Sequence, residues 1–305
     1  MTDFSGIYPI VNTTFDDDGR LDLKSQRRLV RFLLESGAAG LGLFGNASEG
    51  YTLRDDERRV LLEAIAEEVA GAVPLVVSSG HTGTDAAVAA SVEAERGGAA
   101  ALMINPPFYV KPDADGIYIY FAAISAAVGI PIMVQDAPLM TQVVLGVDLL
   151  ARMGRELAQV RMVKVEAPPT SPKVSKLAAV ADGRLALFGG LNGNFLLEER
   201  ARGAVGCMPG CDMTDAFVRV WEAAGRGDEA AAREEFGRLL PLIRYELQPG
   251  LGVAVMKRNL FDAGIIASPR TRHPTRTLDA VDIAEVRALR APLDLLAFRW
   301  AAGRP

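Results

Sequence analysis

Lys164 stands in the run Arg161-Met162-Val163-Lys164-Val165-Glu166, a short strand-like segment flanked by turn formers. Strands buried on both faces read as near-continuous apolar runs, so a lysine inside one must be desolvated or paired. Desolvation disfavours the ammonium and can lower a lysine pKa by several units, giving a neutral amine able to attack a carbonyl. The competing reading is a strand-end lysine that snorkels to water or pairs with Glu166. Side chains alternate along a strand, so Glu166 shares the face of Lys164 and is a candidate acid or base. A carboxylate that close also favours the ammonium form, and a plain salt bridge or mouth-lining charge is an equal reading. Asp136, in Gln135-Asp136-Ala137-Pro138, is a second candidate whose parity suggests the opposite face.

The elements that must position these groups alternate regularly. Short apolar runs near residues 6–11, 40–44, 74–78, 100–104, 131–135, 161–165, 185–188 and 204–207 read as strands. Helical patterns lie near 22–36, 54–70, 84–97, 114–128, 147–156, 172–181, 193–201 and 213–226. Thr52 followed by Asp55 looks like a capping-box start, and Ser171-Pro172 places proline where a first helical turn tolerates it. Gly37 and Gly71 fall where helix ends want a residue without a Cβ. Eight strand–helix alternations with no long all-β or all-α block argue for a parallel sheet, and about 226 residues fit a closed (β/α)8 TIM barrel. A doubly wound open sheet is the alternative. The expected organisation is a barrel over 1–226 and a C-terminal helical extension over 227–305, with helical patterns near 228–246, 249–263 and 278–290 and no strand.

Bulk properties exclude several classes of function. Of 305 residues, 50% are hydrophobic and 23% charged, and the net charge is −5, which leaves no basic footprint for nucleic acid or an anionic membrane. The opening Met1-Thr2-Asp3-Phe4 has no basic start followed by an apolar stretch, so export is not expected and a cytoplasmic location is. Phe121 to Val134, the longest apolar-rich stretch, contains Ser125, Gly129 and Pro131 and is too short to span a bilayer. Cys207 and Cys211 could share one helical turn, but with only His81 and His273 available they do not complete a zinc site. They read as reduced thiols, and neither metal nor cofactor is implied. Asn12-Thr13-Thr14 and Asn46-Ala47-Ser48 match the glycosylation pattern by chance. Gly40-Leu41-Gly42-Leu43-Phe44-Gly45 matches a dinucleotide fingerprint by letters, but its glycines lie inside a strand and the next helix starts about ten residues later.

In a barrel the C-terminal ends of the strands carry the chemistry. After the second strand comes Gly45-Asn46-Ala47-Ser48-Glu49-Gly50-Tyr51-Thr52-Leu53, a small-residue turn whose backbone N–H groups suit a carboxylate. After the fourth comes Asn105-Pro106-Pro107-Phe108-Tyr109-Val110-Lys111-Pro112, after the fifth Gln135-Asp136-Ala137-Pro138, and the sixth holds Lys164. Together with the opening Tyr8-Pro9-Ile10-Val11-Asn12-Thr13-Thr14-Phe15-Asp16-Asp17-Asp18-Gly19, this ordered set resembles the pyruvate-dependent class I lyases of the dihydrodipicolinate synthase and N-acetylneuraminate lyase type. The resemblance implies that Lys164 forms an imine with a 2-oxo acid and that the Asn46-Ala47-Ser48 region holds its carboxylate. It implies that Tyr109 is the loop tyrosine that crosses into a partner subunit's site, in dimers and commonly tetramers. It implies that Gly189-Gly190-Leu191-Asn192-Gly193 lines the pocket with backbone near the distal part of the substrate.

The departures bear on function as well. Gly-Thr-Thr-Gly-Glu or Gly-Ser-x-Gly-Glu is usual in the turn, so Ala47 lacks a relay hydroxyl. A tyrosine is usual on strand five, where Gln135 can orient by hydrogen bonding but does not titrate near neutral pH. The lysine-pathway synthase has an arginine where Met140 stands. The expectation is therefore a Schiff-base-forming aldolase or dehydratase acting on pyruvate or a 2-oxo-3-deoxy sugar acid, and not a true dihydrodipicolinate synthase. Lys164, Tyr109, Gln135 and Glu166 are the catalytic candidates, and Asn46, Ala47, Ser48 and Gly190 the substrate-binding ones. The alternative is a barrel of the same family that binds oxo acids without turnover, and a phosphate-binding barrel is a weaker third reading. His81, after strand three, reads as a structural hydrogen-bonder or a substrate contact, and His273 as remote from the chemistry.

Overall fold

In the computed structural model, residues 4–300 are described, so the opening Met1-Thr2-Asp3 of the export reading lies outside them. The strands are β1 (Gly6–Ile7), β2 (Leu41–Leu43), β3 (Leu75–Ser78), β4 (Ala101–Ile104), β5 (Ile132–Asp136), β6 (Val160–Val165), β7 (Ala186–Gly189) and β8 (Gly206–Cys207). Between and after them run α1 (Leu23–Glu35), α2 (Asp55–Val69), α3 (Thr84–Arg96), α4 (Ala114–Ala127), α5 (Pro138–Thr141), α6 (Val147–Glu156) and α7 (Thr170–Val180). The remaining helices are α8 (Leu196–Arg200), α9 (Thr214–Gly225), α10 (Glu229–Glu246), α11 (Gly252–Asp262), α12 (Ala280–Arg290) and α13 (Ala297–Trp300).

The chain forms two compact units. One holds Pro74–Leu191 and Phe195–Met208, and the other holds Gly6–Val73, Asn192–Asn194 and the chain from Pro209 onward. In the first unit β3 to β8 pair in sequence order, each parallel to the next. Their cores are β-branched and aliphatic, and Leu102, Ile132, Val134, Val163 and Val165 are all fully buried. Burying each such side chain contributes about 1.5–3 kcal/mol, which is why these unbroken apolar runs became strands with helices over them. Register places Gln135 beside Lys164 and Asp136 beside Val165. Lys164 also pairs with Phe188 on β7.

In the second unit α1 is capped by Asp22, whose side chain accepts from the Ser25 N–H at 3.0 Å, and it buries Leu29, Val30, Phe32 and Leu33. Asp228 and Asp279 cap α10 and α12 in the same way, each satisfying N–H groups that lack an intrahelical partner. The helix expected from a Thr52 box starts instead at Arg54, whose N–H donates to the Glu57 side chain at 3.1 Å. Thr52 is still in the preceding turn, with its hydroxyl on the Glu49 carbonyl.

Element boundaries depart from the sequence reading where proline or glycine intervenes. The first strand was expected over 6–11, but after Ile7 only Ile10 makes single parallel bridges, to Gly42 and Gly210. Pro9 has no N–H to donate and can only accept, from Gly42 at 2.9 Å. The pattern near 193–201 shortens to Leu196–Arg200, because Leu191, Asn192 and Gly193 all have positive φ. Pro138–Thr141 and Ala297–Trp300 add one-turn helices that no periodicity announced. Cys207 lies in β8 and Cys211 in a loop, so the two do not share a helical turn; both are buried and free. Among the described residues no helix is long and apolar enough to cross a membrane.

Candidate active site

Four of the sequence-selected residues converge in the first unit. Lys164 emerges near the end of β6 with 4% of its surface exposed, which a cation tolerates only beside an anion or as the neutral amine. Its Nζ lies 3.4 Å from Glu166 Oε2. The same Oε2 accepts from Gln135 Nε2 at 2.8 Å, and Oε1 accepts from the Leu191 N–H at 3.0 Å. Gly190 forms the wall behind this carboxylate, since a Cβ there would meet Glu166 Cγ at 2.3 Å. Glu166 is thus clamped by an amide, a backbone N–H and a lysine, and its orientation is fixed before any substrate arrives. Gln135 spends its donor on Glu166, which leaves its buried Oε1 as an acceptor with no partner among the described residues.

Asp136 does not join this group. Lys173 Nζ lies 2.5 Å from its carboxylate and also donates to the Leu145 carbonyl at 2.7 Å. Burial pushes the Asp136 carboxyl up, and Lys173 offsets part of that. Its neighbour in sequence therefore faces the site while Asp136 faces away, as alternation along β5 requires. Tyr109 lies on the loop after β4 and is 85% exposed, flanked by the exposed Phe108 and Val110. His81 is structural: its N–H and carbonyl both engage the Tyr120 hydroxyl, at 3.2 and 2.9 Å, and its Nδ1 accepts from Gly83.

The sequence missed Glu199. It projects from α8, and its Oε2 lies only 1.9 Å from where a Cβ on Gly189 would stand, so the carboxylate occupies the space that glycine leaves open. Among the described residues no well-aligned hydrogen bond reaches either oxygen. Burial pushes the Glu199 carboxyl up to about 8, the Thr170 hydroxyl offsets part of the shift, and the charge on Glu166 adds to it. The adjacent Cys207 thiol is likewise pushed well up by burial, then by Glu199, so it is no nucleophile.

The turn Gly45–Leu53 belongs to the second unit. The N–H groups of Ser48, Glu49 and Gly50 turn inward onto the Gly45 and Asn46 carbonyls. The N–H groups of Asn46 and Ala47 make no backbone hydrogen bond among the described residues, and the buried Ser48 hydroxyl has no hydrogen-bond partner among them. This arrangement suits a carboxylate. Glu49 is locked from behind by the fully buried Lys257, which also sits over the Phe15 ring and donates to the Arg270 carbonyl. Burial lowers Lys257 to about 8 against the opposing pull of Glu49. The Arg272 N–H donates to the other Glu49 oxygen at 2.8 Å.

The chain is similar to known proteins along nearly its whole length. The sequence profile of the Dihydrodipicolinate synthetase family matches residues 3–290. The chain is 40% identical over 305 residues to L-2-keto-3-deoxyarabonate dehydratase of Azospirillum brasilense, covering 97% of this chain and 96% of that protein. It superposes on the crystal structure of dihydrodipicolinate synthase from Rhodopseudomonas palustris with a TM-score of 0.89 at 31% identity, over 95% of this chain and 98% of that one. A protein described as the first monomeric dihydrodipicolinate synthase variant matches at 26% identity and a TM-score of 0.87, over 94% of this chain and 96% of its own. Likeness of this extent shows a (β/α)8 barrel with C-terminal helices.

Proposed function

The chain belongs to the dihydrodipicolinate synthetase family, and from that premise we propose that it is a Schiff-base-forming dehydratase of a 2-oxo-3-deoxy sugar acid. A lyase role and departure from the true synthase accord with the 40% identical dehydratase relative and with Met140 and Gln135 standing where the synthase has arginine and tyrosine. The observation that carries the choice of dehydration is the clamped carboxylate of Glu166, 3.4 Å from Lys164 Nζ.

Lys164, as the free amine, attacks C2 of the oxo acid, and loss of water gives a protonated imine that acts as an electron sink. The N–H groups of Asn46 and Ala47, with the Ser48 hydroxyl, hold the substrate carboxylate. A base beside the imine nitrogen lies near C3, so Glu166 removes a C3 proton and leaves an enamine. Expulsion of the C4 hydroxyl, taking a proton to leave as water, then gives a conjugated imine that hydrolyses back to Lys164. Gln135 orients Glu166 through its Nε2, and its free Oε1 accepts a hydrogen bond from a substrate hydroxyl. No metal or cofactor enters. Aldol cleavage instead needs a base at the C4 hydroxyl, a task suited to the tyrosine that Gln135 replaces.

The catalytic barrel is assigned to 1–226 and the helical appendix to 227–305, with a cytoplasmic location. Subunits associate as dimers or tetramers through the exposed Phe108-Tyr109-Val110 segment, whose neighbour Lys111 donates to Gln142 beside the exposed Leu139, Met140 and Val144. Tyr109 is assigned to a partner subunit's site. Large apolar side chains left exposed on both segments support that reading.

The test is incubation with 2-oxo-3-deoxypentonic acids, with pyruvate release and water loss followed by mass spectrometry, alongside borohydride trapping of pyruvate. Water loss without pyruvate release, and an adduct on the Lys164 peptide absent from Lys164→Ala, are expected. Pyruvate release would make the protein an aldolase. An adduct without turnover of any such acid would favour a binding barrel, and no adduct would overturn the imine.

A further inference from the structure

We propose that Asn12 is a positioning residue for substrate binding: its amide holds the Ala47 carbonyl and so fixes the turn that presents the Asn46 and Ala47 N–H groups to the oxo acid carboxylate. This rests on the carboxylate role assigned to that turn above. Asn12 is fully buried, and its Nδ2 donates to the Ala47 carbonyl at 2.6 Å. Next to it, the Thr13 hydroxyl donates to the Ser48 carbonyl at 2.6 Å. Two successive peptides of the turn are therefore gripped from behind by two successive residues of the opening segment. The N–H groups that share these two peptides, those of Ser48 and Glu49, are themselves held on the Gly45 and Asn46 carbonyls, so the Asn46 and Ala47 N–H groups are the ones left for an anion.

The amide itself is held in one orientation. The Cys211 thiol donates to Asn12 Oδ1 at 3.2 Å, so a flipped amide would set its NH2 against a donor and its oxygen against the Ala47 oxygen. Burial pushes the Cys211 thiol well up, which keeps its proton in place for this bond. Cys211 is fixed in turn by the Thr214 hydroxyl on its carbonyl at 2.9 Å, and the adjacent Gly210 N–H donates to Asn192 at 2.7 Å. The Asn12 backbone is anchored as well, its carbonyl accepting from Gln26 Nε2 at 3.2 Å.

Loss of the amide leaves a buried carbonyl without its donor, and the peptide rotates to find another. The experiment measures borohydride trapping at Lys164 as a function of ketone concentration, with pyruvate and with acetone, which lacks the carboxylate. In Asn12→Ala the half-saturating pyruvate concentration is expected to rise roughly tenfold while that of acetone stays at the wild-type value. Cys211→Ala is expected to raise the pyruvate value by about threefold, and Cys211→Ser, which restores a donor, to return it. A folded Asn12→Ala with the wild-type pyruvate dependence, or with equal shifts for both ketones, overturns the proposal. Should Asn12→Ala fail to fold, an unshifted pyruvate value in Cys211→Ala overturns it equally. Absence of any wild-type adduct would sink the imine reading and this one with it, whereas an adduct insensitive to Asn12 sinks this one alone.

Discussion

Gly190→Ala tests whether Glu166 works through its exact placement. The added Cβ would lie 2.3 Å from Glu166 Cγ and 2.5 Å from both Cδ and Oε1. Non-bonded carbon atoms settle at about 3.5–4.0 Å, so the carboxylate must retreat by more than ~1 Å. It cannot do so while keeping Gln135 at 2.8 Å, the Leu191 N–H at 3.0 Å and Lys164 at 3.4 Å. Misplacement of a catalytic group by about 1 Å costs on the order of 100-fold in rate. Overpacking costs about 1–3 kcal/mol of stability, so the variant should remain folded. Dehydration should therefore fall about 100-fold, while borohydride still traps pyruvate on Lys164, because the imine needs the amine and not the base. Gly146→Ala is the control, since a Cβ there meets nothing within 4 Å. A folded Gly190→Ala that dehydrates at the wild-type rate refutes the role of Glu166. Trapping lost in parallel with turnover would instead assign Gly190 to substrate access.

Glu199 makes stability depend on pH. Its folded carboxyl titrates near 8 against a usual value of 4.5, so the native state holds an extra proton between those values and loses stability as pH rises through them. Glu199→Gln removes the charge, and should exceed the wild type by on the order of 2 kcal/mol at pH 8.5, with the gap closing toward pH 5 in denaturant titrations. Equal pH slopes for the two proteins would refute the buried acid. Lys257→Met strips Glu49 of its buried partner and should lower unfolding free energy by about 3–5 kcal/mol in urea. A doubly substituted Glu49→Gln, Lys257→Met protein should regain part of this, and a single variant as stable as the wild type would contradict the pairing.

The order of elements was legible because each strand is a short apolar run and each helix keeps its 3.6-residue period, which are local properties of the chain. Lys164 could be selected for the same reason, since a charge in a strand otherwise apolar is visible in one dimension, and alternation put Glu166 on its face and Asp136 on the other; Gln135 was singled out by the resemblance, as the residue where a tyrosine is usual. Proline and glycine blurred the edges, as at Pro9 and at Leu191–Gly193, where a missing donor or a positive φ overrides periodicity. What the sequence left open was how these groups are held. Nothing in Asn12-Thr13-Thr14 distinguishes a chance glycosylation match from a grip on Ala47 and Ser48, which lie 35 positions away for each pair. Glu199 in a charged stretch of α8 reads as a solvated face until Gly189, with no side chain, admits its carboxyl against the sheet. Lys257 and Glu49, 208 positions apart, become partners only in three dimensions. Hydrogen bonding and desolvation depend on what surrounds an atom in space, and it is tertiary structure that turns a set of plausible residue types into a clamped carboxylate, a braced turn and a buried acid.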